Sequence, residues 1–161
     1  MNELTRQPDG LHWACRYIGL PWQAGAKGPD VFDCWSLVVW VQKHHFDRNL
    51  PDIPVAEGNL KRLALTFRDH PERKRWQLTD TPEHGDAVLM RQSRHPIHVG
   101  IWITISPTEE GVLHCVKGNG VVFQNMASLK LAGWQIEGFY RLSSSEAVEQ
   151  NHFREMPAKP D

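Results

Sequence analysis

The chain has 161 residues, 40% of them hydrophobic and 23% charged, with a formal net charge of -1 when histidine is neutral. That length suits one domain with a real core, and the charge gives no basic excess for holding nucleic acid or an anionic membrane surface as the main partner. No apolar run approaches the roughly 18–20 residues of a membrane span; the polar start MNELTRQPDG has no signal-peptide core, so synthesis in the cytoplasm without export by the usual route is expected.

No internal repeat or low-complexity tract divides the chain. GLHWACRYIG, residues 10–19, reads as a short helix with Leu11, Ala14, Cys15 and Ile18 on its apolar face. Gly19 and Pro21 end it, and a Gly- and Pro-rich loop follows. In FDCWSLVVWVQKHHF, Asp33 is a good N-cap, and Cys34, Leu37, Val38 and Val41 fall on one helical face. Residues 51–80 read as polar and irregular, with a short helix near Asn59 to Phe67. From residue 85 the period changes. AVLM, HVGIWITI, GVLHCV, GVVFQN and EGFYRL read as a meander of about five antiparallel strands. Helices first and strands second predict an α+β domain over residues 1–145, with a polar tail over 146–161.

The three cysteines, Cys15, Cys34 and Cys115, are odd in number and irregular in spacing, so reduced thiols are expected rather than a disulfide framework. Cys34 stands out by position. A first-turn residue faces the unpaired N–H groups and positive dipole end of its helix, both of which favour the attacking thiolate. A cysteine nucleophile needs a base on a rigid element, and His98 opens a strand. Alternation puts His98, Gly100 and Trp102 on one face of that strand and Val99, Ile101 and Ile103 on the other. Gly100 beside the histidine leaves room for a helix or a substrate. His114 lies sixteen residues on, in the next strand. Antiparallel pairing would set the two histidines side by side, with His114 orienting the His98 ring and fixing its tautomer.

Metal chemistry is not expected. His44 and His45 are adjacent on a helix and point about 100° apart. His114 and Cys115 point to opposite faces of a strand, which breaks up the set Cys34, His98, His114 and Cys115. No CxxC pair is present, and no cofactor is expected.

The order DCWSLV, GDAVLM, HVGIWI and VLHC resembles the NlpC-type cell-wall peptidases, which are papain-like. The resemblance covers residues 11–142 and implies N-terminal helices packed on an antiparallel sheet. It implies Cys34 as nucleophile, His98 as general base and His114 as the third polar residue, with Gly85-Asp86 before the first core strand. The lead-in YIGLPWQAGAKGPDVFDCW and the later LPDIP are similar to members carried by phage tails. Trp35-Ser36 stands where the family commonly has Ser-Gly, and Trp22 stands at the place of a tyrosine.

The resemblance implies hydrolysis of amide bonds in the peptide stem of peptidoglycan, of the D-glutamyl-diaminopimelate type. His98 would take the Cys34 proton, or hold it as an ion pair, and the Cys34 backbone N–H would steady the oxyanion. Trp22, Asp33, Trp35 and Ser36 surround the nucleophile in sequence and are the candidate substrate-binding residues, Asp33 serving first as a cap. Peptidoglycan stem peptides and phage tail proteins are the expected partners, and the virion tail is the expected site of action. Two other readings stand beside this one: a tail-tip assembly protein with a degenerate peptidase fold, and a papain-like amidase or acyltransferase with a non-wall substrate.

Overall fold

The structure is a computed structural model, which describes residues 12–50, 76–93 and 95–142. The helix expected near Asn59 to Phe67, the LPDIP segment from Pro51 onward and the tail from Ser143 lie outside the described residues.

Trp13–Arg16 form a four-residue 3-10 helix rather than the longer amphipathic helix expected. The buried side chains here are Trp13, Ala14 and Tyr17, while Cys15 is exposed and Ile18 is 45% exposed. The reason is geometric. A 3-10 turn has three residues per turn, so it does not hold the i, i+4 spacing that would have put Ile18 on one face with buried Ala14. Trp13 stacks on His45 with ring centroids 3.8 Å apart, and the Tyr17 hydroxyl meets His45 Nε2 at 2.8 Å. Burial, and then the neighbouring His44, His12, Arg16 and His84, lower the His45 pKa to about 4.

Helix α1, Cys34–Phe46, starts on a complete capping box. Asp33 Oδ1 accepts the Ser36 N–H at 2.8 Å, and Ser36 Oγ accepts the Asp33 N–H at 2.9 Å. Lys43, His44 and His45 lie in the last turn, where positive charge suits the dipole, and Asp47 closes the helix in the left-handed region at φ 53°. Leu37, Val38 and Val41 are fully buried, as their spacing predicted.

Among the described residues, six strands build one antiparallel sheet: β1 Trp76–Thr79, β2 Ala87–Gln92, β3 His95–Ser106, β4 Glu109–Val116, β5 Gly120–Gln124 and β6 Gln135–Leu142. The order across the sheet is β1-β6-β2-β3-β4-β5. The α+β class stands, but the expected meander of about five strands is corrected in two ways. β2 to β5 do run as a meander. A short helix α2, Met126–Leu131, then carries the chain back, so that β6 pairs with β2 and β1 adds outside β6.

Period-2 alternation sorts the sheet into two faces. Ile101 lies opposite Leu113, and their face packs on α1 through Ile103, Cys115, Val121, Leu37 and Val41. Ala87 and Val99 extend that contact to Cys34, Trp35 and Val38. Trp102 lies opposite Val112, and that face buries Val88, Met90 and Val116 against Leu129 of α2 and Trp134. Gly100 belongs to the second face, but it does not open a space there. A Cβ at residue 100 would meet Val112 Cγ1 at 2.5 Å and His114 Cβ at 2.9 Å. The gap left by the missing side chain is filled by β4.

Among the described residues, no helix is long and apolar enough to cross a membrane, and no group of His, Cys, Asp and Glu could hold a metal ion.

Candidate active site

The two histidines meet as the strand periods predicted. His98 Nε2 and His114 Nδ1 are 2.9 Å apart, and both rings are buried. Trp134, from the loop after α2, stacks on the His98 ring at 4.6 Å and 26° and meets His114 edge-on at 5.4 Å. On its far side His114 Nε2 meets Gln124 Oε1 at 2.9 Å, and Gln124 Nε2 donates to Ser128 Oγ at 3.1 Å. A chain of polar groups therefore runs from β3 through β4 to the end of β5 and into α2. Neither Gln124 nor Trp134 was singled out from the sequence. Both sit at the ends of elements, where no spacing rule marks them.

The Cys34 side chain lies on the α1 face and the histidine pair on the other. The Trp102 backbone bonds with Gly85 and Asp86, toward β2. Alternation turns Ile101 and Val99 the opposite way, toward β4. The β3–β4 ladder, however, runs from Ile101 to Ser106. Val99 lies beyond that ladder. Cys34 thus packs against Val99, the residue next to His98 along β3.

Burial pushes the Cys34 pKa up to about 12, and the Asp33 carboxylate adds to that rise. The N–H groups of Val99, Trp35 and Cys34 act in the lowering direction but are outweighed. The helix start therefore acts in the expected direction, but Cys34 is 5% exposed, and desolvation exceeds what the helix N-terminus supplies. The Cys115 thiol is also raised to about 12, first by burial and then by Cys34 and Asp33, and it donates to the Phe32 carbonyl at 3.4 Å.

The four residues expected around the substrate take different places. Asp33 and Ser36 are buried and bonded to each other at the helix start, and Asp33 Oδ2 also accepts the Gly25 N–H at 3.2 Å. Their polar groups hold the backbone at the start of α1 and the glycine loop. Trp35 is 2% exposed and packs with Val38 and Trp76, so it belongs to the core. Trp22 is half-buried, with Lys117 Nζ 5.7 Å from its ring centroid. Asp86 closes the turn before β2, accepting the Glu83 N–H at 2.7 Å and both Nε and Nη2 of Arg141 at 3.1 and 3.0 Å. That is a structural role.

A capped helix with a cysteine at its first residue, packed on an antiparallel sheet that carries a buried histidine pair, is the architecture of a papain-like domain. The chain belongs to the NlpC/P60 family, whose profile matches residues 19–138. Members of that family are generally cell-wall peptidases and amidases that act on peptidoglycan peptides. Two solved structures share the fold, NlpC1 and NlpC2 of Trichomonas vaginalis. Their sequence identities to this chain are 19% and 20%, and both TM-scores are 0.52 over 80% of this chain. The chain spans about two fifths of each of them, 41% and 43%. No curated protein sequence matches the chain.

Proposed function

We propose that this chain is a cysteine peptidase or amidase that hydrolyses amide bonds in peptidoglycan stem peptides, of the D-glutamyl-diaminopimelate type, and that it acts as a component of a phage or prophage tail. The observation that carries the reading is the bond between His98 Nε2 and His114 Nδ1, on the strand whose next residue, Val99, packs with Cys34. With Nε2 engaged by His114, we assign the exchange of the thiol proton to His98 Nδ1. The tail assignment and the bond type rest on the lead-in to Cys34 and on family likeness.

His98 takes the Cys34 proton, either as a general base during attack or beforehand as its partner in an ion pair. In the first case, as Sγ attacks the amide carbonyl carbon, its proton passes to His98 Nδ1, and the carbonyl oxygen becomes an oxyanion facing the Cys34 N–H. The C–N bond then breaks, and Nδ1 returns the proton to the leaving amine. Water, deprotonated by the same nitrogen, cleaves the thioester and regenerates the thiol. His114 orients the imidazole throughout, while Asp33 and Ser36 fix the helix start.

Burial of Cys34 also favours a second reading, a tail-tip assembly protein that keeps the fold without efficient turnover. The two readings part on one experiment. Wild type and Cys34→Ala are incubated with peptidoglycan fragments of several stem types, and the products are identified by mass spectrometry. Cleavage by wild type alone supports the peptidase; absence of cleavage across the series overturns it.

A further inference from the structure

We infer that Gln124 sets the tautomer of the buried histidine pair and thereby makes Nδ1 of His98 its basic nitrogen. The inference rests on the role proposed for His98 and extends the site to a residue two strands away.

The argument is one of counting protons. Each bond in the chain needs one donor and one acceptor, and a neutral imidazole has one of each. Gln124 Nε2 donates to Ser128 Oγ at 3.1 Å, which turns the amide oxygen toward His114. That oxygen can only accept, so His114 Nε2, 2.9 Å away, carries the proton. A neutral His114 then has a bare Nδ1, which must accept. The facing atom, His98 Nε2 at 2.9 Å, must therefore carry a proton. Its Nδ1 is left with the lone pair. Reversing the Gln124 amide reverses every step: His114 Nε2 would accept, its Nδ1 would donate, and His98 would hold its proton on Nδ1, where a base is needed.

Burial gives this ordering its force. His114 is fully buried and His98 is 3% exposed, so water does not compete for the ring nitrogens. Trp134 covers both rings. Gln124 itself is half-buried and, with Trp134 and Val116, lines a cavity of about 790 Å³ beside the β4–β5 turn. It stands in the wall between that cavity and the pair, and its side chain is anchored by Ser128, which is itself held at the start of α2 by the Asn125 cap at 2.8 Å.

The test compares wild type with Gln124→Glu, which keeps an acceptor at this position, and Gln124→Met, which keeps the length without one. Ring ¹⁵N shifts of His98 and His114 are measured at neutral pH in proteins that also carry Cys34→Ala, where no chemistry occurs. Wild type and Gln124→Glu are expected to show His98 protonated at Nε2, and Gln124→Met a mixture with the Nδ1–H form. In proteins retaining Cys34, kcat on stem peptides is expected to fall about 10–100-fold in Gln124→Met with KM little changed, and to recover in Gln124→Glu. A wild-type His98 protonated at Nδ1, or a tautomer that ignores Gln124→Met, overturns the inference. If the tautomers follow Gln124 but wild type cleaves no peptide, the inference stands and the peptidase reading fails.

Discussion

Gly100→Ala should damage the candidate site from behind. The new methyl group would lie 2.5 Å from Val112 Cγ1, 2.9 Å from His114 Cβ and 3.1 Å from the Leu113 carbonyl oxygen. Carbon atoms rest at about 3.5 Å or more, so Val112 must withdraw by about 1 Å and His114 by about 0.6 Å. Both residues are fully buried and neither has a free direction in which to move. Overpacking of this kind costs about 1–3 kcal/mol, and in a domain of this size it lowers Tm by about 3–10 °C. The same displacement acts on the histidine bond. Its 2.9 Å length would stretch to about 3.5 Å, the limit at which a hydrogen bond ceases to hold. Thermal unfolding followed by circular dichroism reads the first effect, and initial rates on stem peptides read the second. Turnover is expected to fall more than the fraction of unfolded protein explains. A variant that melts with the wild type and keeps its turnover would refute the packing argument, and one that melts lower but turns over normally would refute the link to His114.

Three further outcomes follow from the same geometry. Titration with a thiol reagent at neutral pH should label Cys15 first, because it is exposed, and Cys34 and Cys115 slowly, because burial holds both near 12; mass mapping of the labelled peptides checks the order. Asp33→Asn keeps a good N-cap but removes the charge that helps raise the Cys34 pKa, so Cys34 should alkylate faster in the variant with helix content unchanged. His45 has a folded-state pKa lowered from 6.5 to about 4, so its contribution to stability is fully present above 6.5 and is lost as pH falls toward 4. Urea midpoints should decline across that window, and less steeply in His45→Phe, which keeps the stack on Trp13.

Some of this was legible in the residues and some was not. α1 could be read because a capping aspartate precedes a stripe of Leu37, Val38 and Val41, and because both signals are local. The histidine pair could be read because two strands of clear period 2 are joined by a short turn. β1 escaped because WQLT buries only Trp76 and pairs with β6, sixty residues and more away, so no local pattern announces it. α2 is six residues long, too short for a period to show, although Asn125 before it and Gly133 after it are ordinary start and stop signals. The state of the thiol was misjudged for a different reason. A sequence shows the helix start that lowers a cysteine pKa, whereas the desolvation that raises it depends on Val99, Trp35 and Ala87 closing over the sulfur from other parts of the chain.

Asp33 is joined to three things at once. One oxygen caps α1 through Ser36, the other holds the Gly25 N–H, and the charge acts on Cys34. Substitutions at residues 25, 33 and 36 should therefore be strongly epistatic, each altering what the others are worth. A lineage that gained reactivity by losing the carboxylate's charge would be left with a weaker grip on its glycine loop. The serine at residue 36, which closes the capping box, makes that trade steeper here, and it narrows the routes by which this domain can change its nucleophile without remodelling the loop beside it.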